Sequence, residues 1–249
     1  MTLIATSLET EVMAALSTVM DPELDEPITS LGFVRTVLID DAGVTVHLRL
    51  PTSFCSPNFA YLMASDAQDA LRFVERTGSV SVLLDDHHDS DKINAGLAAH
   101  AGYVGTFGSE AEESLDALRL TFQRKAHLAA MERCVAAQLR ATALEVEEIH
   151  RLRLADLPGG THKEALLRRR ADLGLGIGPE QRVVVDDAGS PIPLDDVPLR
   201  LRFAKAVRIS VEGNAHFCRG LLKTRYADAD EGGDADGLPT HVTNTRSAS

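Results

Sequence analysis

The sequence predicts an α+β chain, with a small α-β-β-α-β domain at the N-terminus followed by a mainly α-helical C-terminal region. Three observations lead there. Two β-branched runs, Val34–Ile39 and Val44–Leu50, flank a turn and sit between two stretches of helical periodicity. A third such run, Ser79–Leu84, follows the second helical stretch. From Ile93 onward the apolar spacing turns helical and stays so. The expected division is residues 1–94, residues 95–226, and a disordered, acidic, glycine-bearing tail at 227–249 that is too poor in apolar residues to fold alone.

Taken in order, Leu8, Val12, Ala15, Leu16 and Val19 define the first helix, with Ser7 as N-cap and Glu9 and Glu11 in its first turn. Pro22 and Pro27 forbid its continuation, so Asp21–Ser30 is a loop that also delivers Glu23, Asp25 and Glu26. Asp40-Asp41-Ala42-Gly43 is a hairpin turn in which Gly43 can take positive φ. Asn58–Glu75 reads as a helix burying Phe59, Leu62, Met63, Ala67, Leu71 and Val74. After a link dotted with Gly96, Gly102, Gly105 and Gly108, Ser109 is placed to cap a long helix to about Thr142, with Glu110, Glu112 and Glu113 early in it. Shorter helices are expected at Leu144–Leu154 and His162–Leu173, and a strand at Arg182–Val185. A further helix starts after Pro198 and is expected to break at Gly213-Asn214.

Charge is spread unevenly. Residues 1–91 hold fifteen acids against four arginines and no lysine, a surface that repels nucleic acid. Between Pro198 and Tyr226 seven Lys or Arg face a single acid, Glu212, so this segment is suited to dock on the acidic domain or on an acidic partner. No apolar run approaches the ~20 residues of a membrane helix, and a signal-peptide pattern is missing, which points to a cytoplasmic protein. Three distant cysteines argue against a disulfide scaffold and suit reduced thiols, metal or redox chemistry.

Cys55 is the leading candidate for chemistry. It stands just before a helix N-terminus, where free amide groups and the helix dipole favour a thiolate. The succession Met20-Asp21-Pro22-Glu23-Leu24, Ser30-Leu31-Gly32-Phe33-Val34 and the loop Leu50-Pro51-Thr52-Ser53-Phe54-Cys55-Ser56-Pro57 resembles the iron–sulfur assembly domain of SufT, PaaD and the MIP-eighteen proteins. In this chain Thr52 stands three residues before the cysteine, one later than in that pattern, and the tryptophan that commonly follows the third strand is missing. The resemblance implies that Cys55 contacts an iron–sulfur cluster or iron, with Asp21, Glu23 and Thr52 shaping its site, and that zinc is an alternative metal. It further implies a protein that matures others rather than an enzyme. Its partner would be a client metalloenzyme or oxygenase subunit, such as an iron-dependent monooxygenase, or a second copy in a homodimer, with neither nucleic acid nor membrane.

Other ligand-bearing residues remain as candidates. His87 and His88, among Asp85, Asp86 and Asp89, are the densest cluster, and on an extended strand only one of the two can face Cys55. His216 and Cys218, bracketed by Gly213 and Gly220, could share one metal if the segment is irregular, and point apart if it is helical. Glu147-x-x-His150 has di-iron helix spacing but occurs once, where such a site needs two. The Lys163–Arg170 cluster reads as a solvated helix face, and Gly174-x-Gly176-x-Gly178 lacks the preceding strand of a phosphate loop. Two readings from other classes stand beside cluster assembly. One is a metal-free assembly chaperone or scaffold that binds an enzyme subunit, and the other is a metal-dependent enzyme using Cys55, His87 or His88, and His216.

Overall fold

A computed structural model of the chain describes residues 7–111, 114–227 and 240–246, and its architecture is α+β as expected. There are two compact units. Unit 1 runs to Leu115 and resumes at Asn214, and unit 2 is the contiguous stretch Asp116–Gly213.

In unit 1, helix α1 (Leu8–Leu16) is capped by Ser7, whose hydroxyl accepts the Thr10 N–H, and buries Leu8, Val12 and Leu16. Two-residue strands β1 (Met20–Asp21) and β2 (Glu26–Pro27) pair antiparallel and pinch the acidic loop at its base. β3 (Val34–Ile39) and β4 (Gly43–Leu48) form the expected antiparallel hairpin, and the Asp40 carboxylate closes its turn by accepting the Ala42 and Gly43 N–H groups, both at 2.9 Å. Helix α2 (Pro57–Arg72) is the crossover that returns β5 (Ser79–Leu84) parallel to β4.

Gly43 does not use positive φ. It is required for space instead: it faces Ser79 across the β4–β5 pair, and a Cβ there would lie 2.0 Å from the Ser79 carbonyl oxygen. Gly43→Ala is therefore expected to pry the two strands apart and to cost about 2–3 kcal/mol, read as a lower urea midpoint for unit 1. An unchanged midpoint would mean that the strand pair gives way without cost.

The glycine-dotted stretch after Ile93 is not a link. It forms α3 (Ser90–Ala98) and α4 (Gly102–Phe107), which bury Ile93, Leu97, Tyr103 and Phe107 in the core under the sheet. Tyr61, Tyr103 and Phe107 stack there with centroids 5.1 to 5.9 Å apart. Unit 1 thus extends past residue 94 because aromatic burial outweighs the helix-breaking tendency of Gly102 and Gly105. The long helix α5 starts at Leu115 rather than at Ser109 and ends at Ala141, while Glu112 and Glu113 lie outside the described residues.

Part of the expected tail joins the fold. β6 (His241–Asn244) runs parallel to β3 and gives the sheet order β5-β4-β3-β6. The β3 edge offers unpaired backbone groups, and the incoming strand is fixed at both ends: Thr240 donates to Val34 O at 2.8 Å, and the Arg246 guanidinium donates to the carbonyls of Asp40, Arg76 and Thr77. The rest of that tail, 228–239 and 247–249, lies outside the described residues.

Unit 2 contains most of α5, α6 (Val146–Arg151), α7 (Thr161–Asp172) and the first part of α8 (Val197–Arg225). Its core gathers Leu128, Met131, Val135, Leu154, Leu166, Val183 and Val197. The expected strand at Arg182–Val185 appears only as isolated bridges, Arg153 with Arg182 and Val185 with Pro191. Arg170, expected on a solvated face, is 1% exposed, and its guanidinium holds the carbonyls of Gly176, Arg182 and Val183. Helix α8 does not break at Gly213-Asn214. One glycine costs a helix only about 1 kcal/mol, and buried Ala204 and Val211 before it and Ala215 and Leu222 after it keep the helix regular.

Candidate functional site

Cys55 is half-buried in a tight loop directly ahead of α2, whose N-cap is Ser56 and whose first residue is Pro57, a ring with φ already set for a helix start. Thr52 turns the loop back on itself: its hydroxyl accepts the Phe54 N–H at 3.1 Å and lies 3.6 Å from the Cys55 sulfur. Phe54 consequently points outward and is 82% exposed, with its ring 6.0 Å from that of exposed His88.

His87 fixes the loop from the other side. Its Nδ1 accepts the Asp89 N–H at 3.1 Å, which leaves Nε2 as the protonated nitrogen, and Nε2 donates to the Cys55 carbonyl at 2.8 Å. With both nitrogens engaged and 7% of its surface exposed, His87 positions Cys55 rather than offering a lone pair to metal. His88 contributes a backbone N–H to Ser53 O at 2.9 Å, and its ring stays at the surface.

Asp21 is buried at the neck of the acidic loop, where its Oδ1 accepts the N–H groups of Glu23 at 2.9 Å and Leu24 at 2.8 Å. Burial dominates its titration and raises the carboxyl to about 6, the two N–H bonds oppose this, and Glu23 and Glu26 add to it. Glu23 is half-buried and accepts from the Asn214 amide at 3.2 Å.

The last three turns of α8 face these two loops. Asn214 holds Glu23, Arg219 pairs with Glu26, and Arg225 donates to Leu50 O at 3.0 Å, to Ser53 Oγ at 2.7 Å and to Asp86 O. Tyr226 ends the helix buried, with its hydroxyl on Asp86 and its ring beneath the guanidiniums of Arg35, Arg49 and Arg225 at 5.9, 5.4 and 5.3 Å. Arg49, wholly buried, donates Nε to Gly32 O at 3.0 Å, within the Leu-Gly-hydrophobic-Val segment. Of the basic residues in this segment, Arg219 meets an acid of the N-terminal domain, whereas Arg200 and Arg208 pair with Asp187 and Glu132 within unit 2.

Cys218 comes to the same place. It is half-buried against the unit 1 core, as Cys55 is. Its thiol is pushed up to about 11, first by burial and then by Asp21, Cys55 and Glu23, which are its electrostatic neighbours. His216 is exposed on another side of the helix, so the structure does not bring it to Cys218. The third cysteine, Cys134, is buried in unit 2, donates to His162 O and is raised to about 11 by burial. His150 of the single Glu-x-x-His motif is engaged with Ile192 O at 3.0 Å. Among the described residues no three His, Cys, Asp or Glu side chains are arranged to hold a metal ion, and no helix is long and apolar enough to cross a membrane.

Arg49, Asn214, Arg225 and Tyr226 escape a sequence reading as site residues. Only Arg49 leaves a trace there, a charge inside the apolar run Val44–Leu50.

The α-β-β-α-β unit with one loop cysteine ahead of α2 defines a class. Residues 9–84 match the family model of iron–sulfur cluster assembly proteins. An uncharacterized protein of Methanocaldococcus jannaschii is 33% identical over 85 residues, which cover 34% of this chain and 87% of that protein. Through this N-terminal domain the chain belongs to the iron–sulfur cluster assembly protein family. No solved structure matches it significantly.

Proposed function

We propose that this protein is an auxiliary factor of the SufT, PaaD and MIP-eighteen kind, acting in the cytoplasm on the iron–sulfur cluster or metal centre of a client enzyme. An iron-dependent oxygenase subunit is the client this reading favours. The observation that carries it is the Cys55 loop inside a matched assembly domain: a half-buried sulfur beside the Thr52 hydroxyl, with its carbonyl held by His87. A cluster is cargo here, not a resident cofactor. Thiolate sulfur suits iron–sulfur clusters, and a chain that lacks a three-ligand set among its described residues can hold one only while other ligands complete it.

Anaerobic reconstitution with iron and sulfide tests this. Cluster absorption and acid-labile sulfide are expected with the full chain and are expected to fall at least tenfold with Cys55→Ser, equivalent to about 1.4 kcal/mol or more of lost binding. Cluster content equal in the two proteins would remove Cys55 from the role. A metal-free scaffold is the second reading, favoured by Phe54, whose 82% exposure beside the loop suits a contact with another protein. In that case client binding is insensitive to Cys55→Ser and is lost with Phe54→Ala.

A further inference from the structure

The family match ends at residue 84, yet the Cys55 loop is built partly by a segment 130 residues beyond it. Ala215, Cys218, Leu222 and Arg225 follow one another at spacings of three and four, so they share one face of α8. That face is fixed at both ends. Asn214 and Arg219 hold the acidic loop through Glu23 and Glu26, and Arg225 holds the cysteine loop through Leu50 O and Ser53. Cys218 lies between these anchors, on the side packed against the core that Cys55 also touches.

We propose that Cys218 is the second thiol of the Cys55 site, so that the chain presents a two-thiolate half-site for an iron–sulfur cluster and leaves the remaining iron positions to thiols of the acceptor. The proposal rests on the functional reading above for its cargo, while the pairing of the thiols rests on the packing of both cysteines against one core and on the anchoring of α8 to both loops. Binding exchanges two thiol protons for two iron–sulfur bonds, with no change of oxidation state. A half-site accounts for two facts together: two cysteines from distant segments pack against one core, and no three His, Cys, Asp or Glu side chains among the described residues are arranged to hold a metal ion. It also supplies a reason for transfer, because a cluster held by two protein thiolates is open to attack by the thiols that will keep it.

Phenylarsine oxide tests the pairing without iron. It condenses with two neighbouring thiols to form a cyclic dithioarsinite and one water, whereas a single thiol does not retain it through washing. Intact mass of the full chain is expected to show one bridged arsenic in the wild type and in Cys134→Ser, and none in Cys55→Ser, Cys218→Ser or Cys218→Ala. The alanine variant keeps the helix, since alanine is the best helix former, so loss in it cannot be laid to unfolding. Bridging that survives Cys218→Ala, or that is missing in the wild type, overturns the site. In parallel, iron and sulfide reconstitution is expected to lose at least tenfold in retained cluster with Cys218→Ala, about 1.4 kcal/mol or more. Cluster uptake that needs Cys55 and ignores Cys218 also overturns the half-site while sparing the functional reading. Arsenic bridging with no cluster uptake by the wild type overturns the functional reading, and with it the cluster as cargo, while the paired thiols stand.

Discussion

Replacing Arg225 by alanine is expected to destabilise unit 1 by about 3–5 kcal/mol: three bonds from a charged donor at about 1.5–3 kcal/mol each are lost, and the total is discounted because water reaches this half-buried side chain and its vacated acceptors. The acceptors make the loss specific. Leu50 O belongs to a residue only 2% exposed, Ser53 sits in the cysteine loop, and Asp86 adopts positive φ at 52°, a conformation that needs support from outside itself. Losing the guanidinium frees both flanks of the Cys55 loop. Alkylation of Cys55 by iodoacetamide under native conditions should then accelerate by tenfold or more, each tenfold corresponding to about 1.4 kcal/mol of easier opening. Cys134, buried in unit 2, serves as the internal reference, and its rate should not move. Arg225→Lys should recover only part of the effect, because an ammonium cannot reach three acceptors held in a fork. An unchanged Cys55 rate in Arg225→Ala would show that the loop holds its shape without α8.

The second large effect is a divergence of the two units with pH. Asp21 is raised from an ordinary carboxylate value to about 6 by burial. Its folded form therefore binds the proton more tightly than the unfolded chain does, and the stability it contributes is fully present below about 4 and is lost as pH rises through 6. His127 is the reverse. Burial, followed by the nearby Arg170 and Arg200 charges, lowers it to about 4, so its contribution is present above about 6.5 and is lost as pH falls through 4. Each group accounts for roughly 3 kcal/mol across its window. Between pH 4 and 6.5 unit 1 should weaken with rising pH while unit 2 strengthens. Peptide-level hydrogen exchange at pH 5 and pH 7, corrected for intrinsic rates, reads the two slopes separately. Asp21→Asn, whose amide oxygen can still accept from Glu23 and Leu24, should flatten the first slope and raise stability at neutral pH, and His127→Gln should flatten the second. Slopes of the same sign in both units would refute the assignment. Stabilisation by Asp21→Asn would also show that an ionisable group is kept here against the stability of the fold, as a residue serving the site would be.

Periodicity and turn chemistry make α1, the β3–β4 hairpin, α2 and β5 readable, because these elements satisfy local rules and the hairpin turn is closed by its own aspartate, whereas the short β1–β2 pair lies in a stretch that its prolines mark as loop. Cys55 stands out by its place ahead of a helix N-terminus, while Asp21 and Thr52 enter as candidates only through the resemblance carried by the residues around them. What escaped the sequence was long-range. α3 and α4 look like linker because their glycines are obvious and their burial is not, and the continuity of α8 depends on packing on each side of Gly213. His87 looked like a ligand because the sequence shows its neighbours in the chain but not the Cys55 carbonyl that occupies it. Arg225 and Tyr226 carry no local signature at all, since the hydrogen bonds they donate reach residues 139 to 175 positions away.

The sheet order has a consequence for biosynthesis. β3 is completed on its outer edge by β6, more than 200 residues later, and the cysteine loop is completed by α8, while unit 2 is one uninterrupted stretch between them. As the ribosome delivers the chain, residues 116–213 can finish folding while the domain begun before them still waits for two pieces. Loop closure across such a span is slow relative to local helix formation. A nascent chain thus carries Cys55 without the helix that steadies it, and the thiol pair comes into being only as a late act of folding, after everything between the two cysteines has been made.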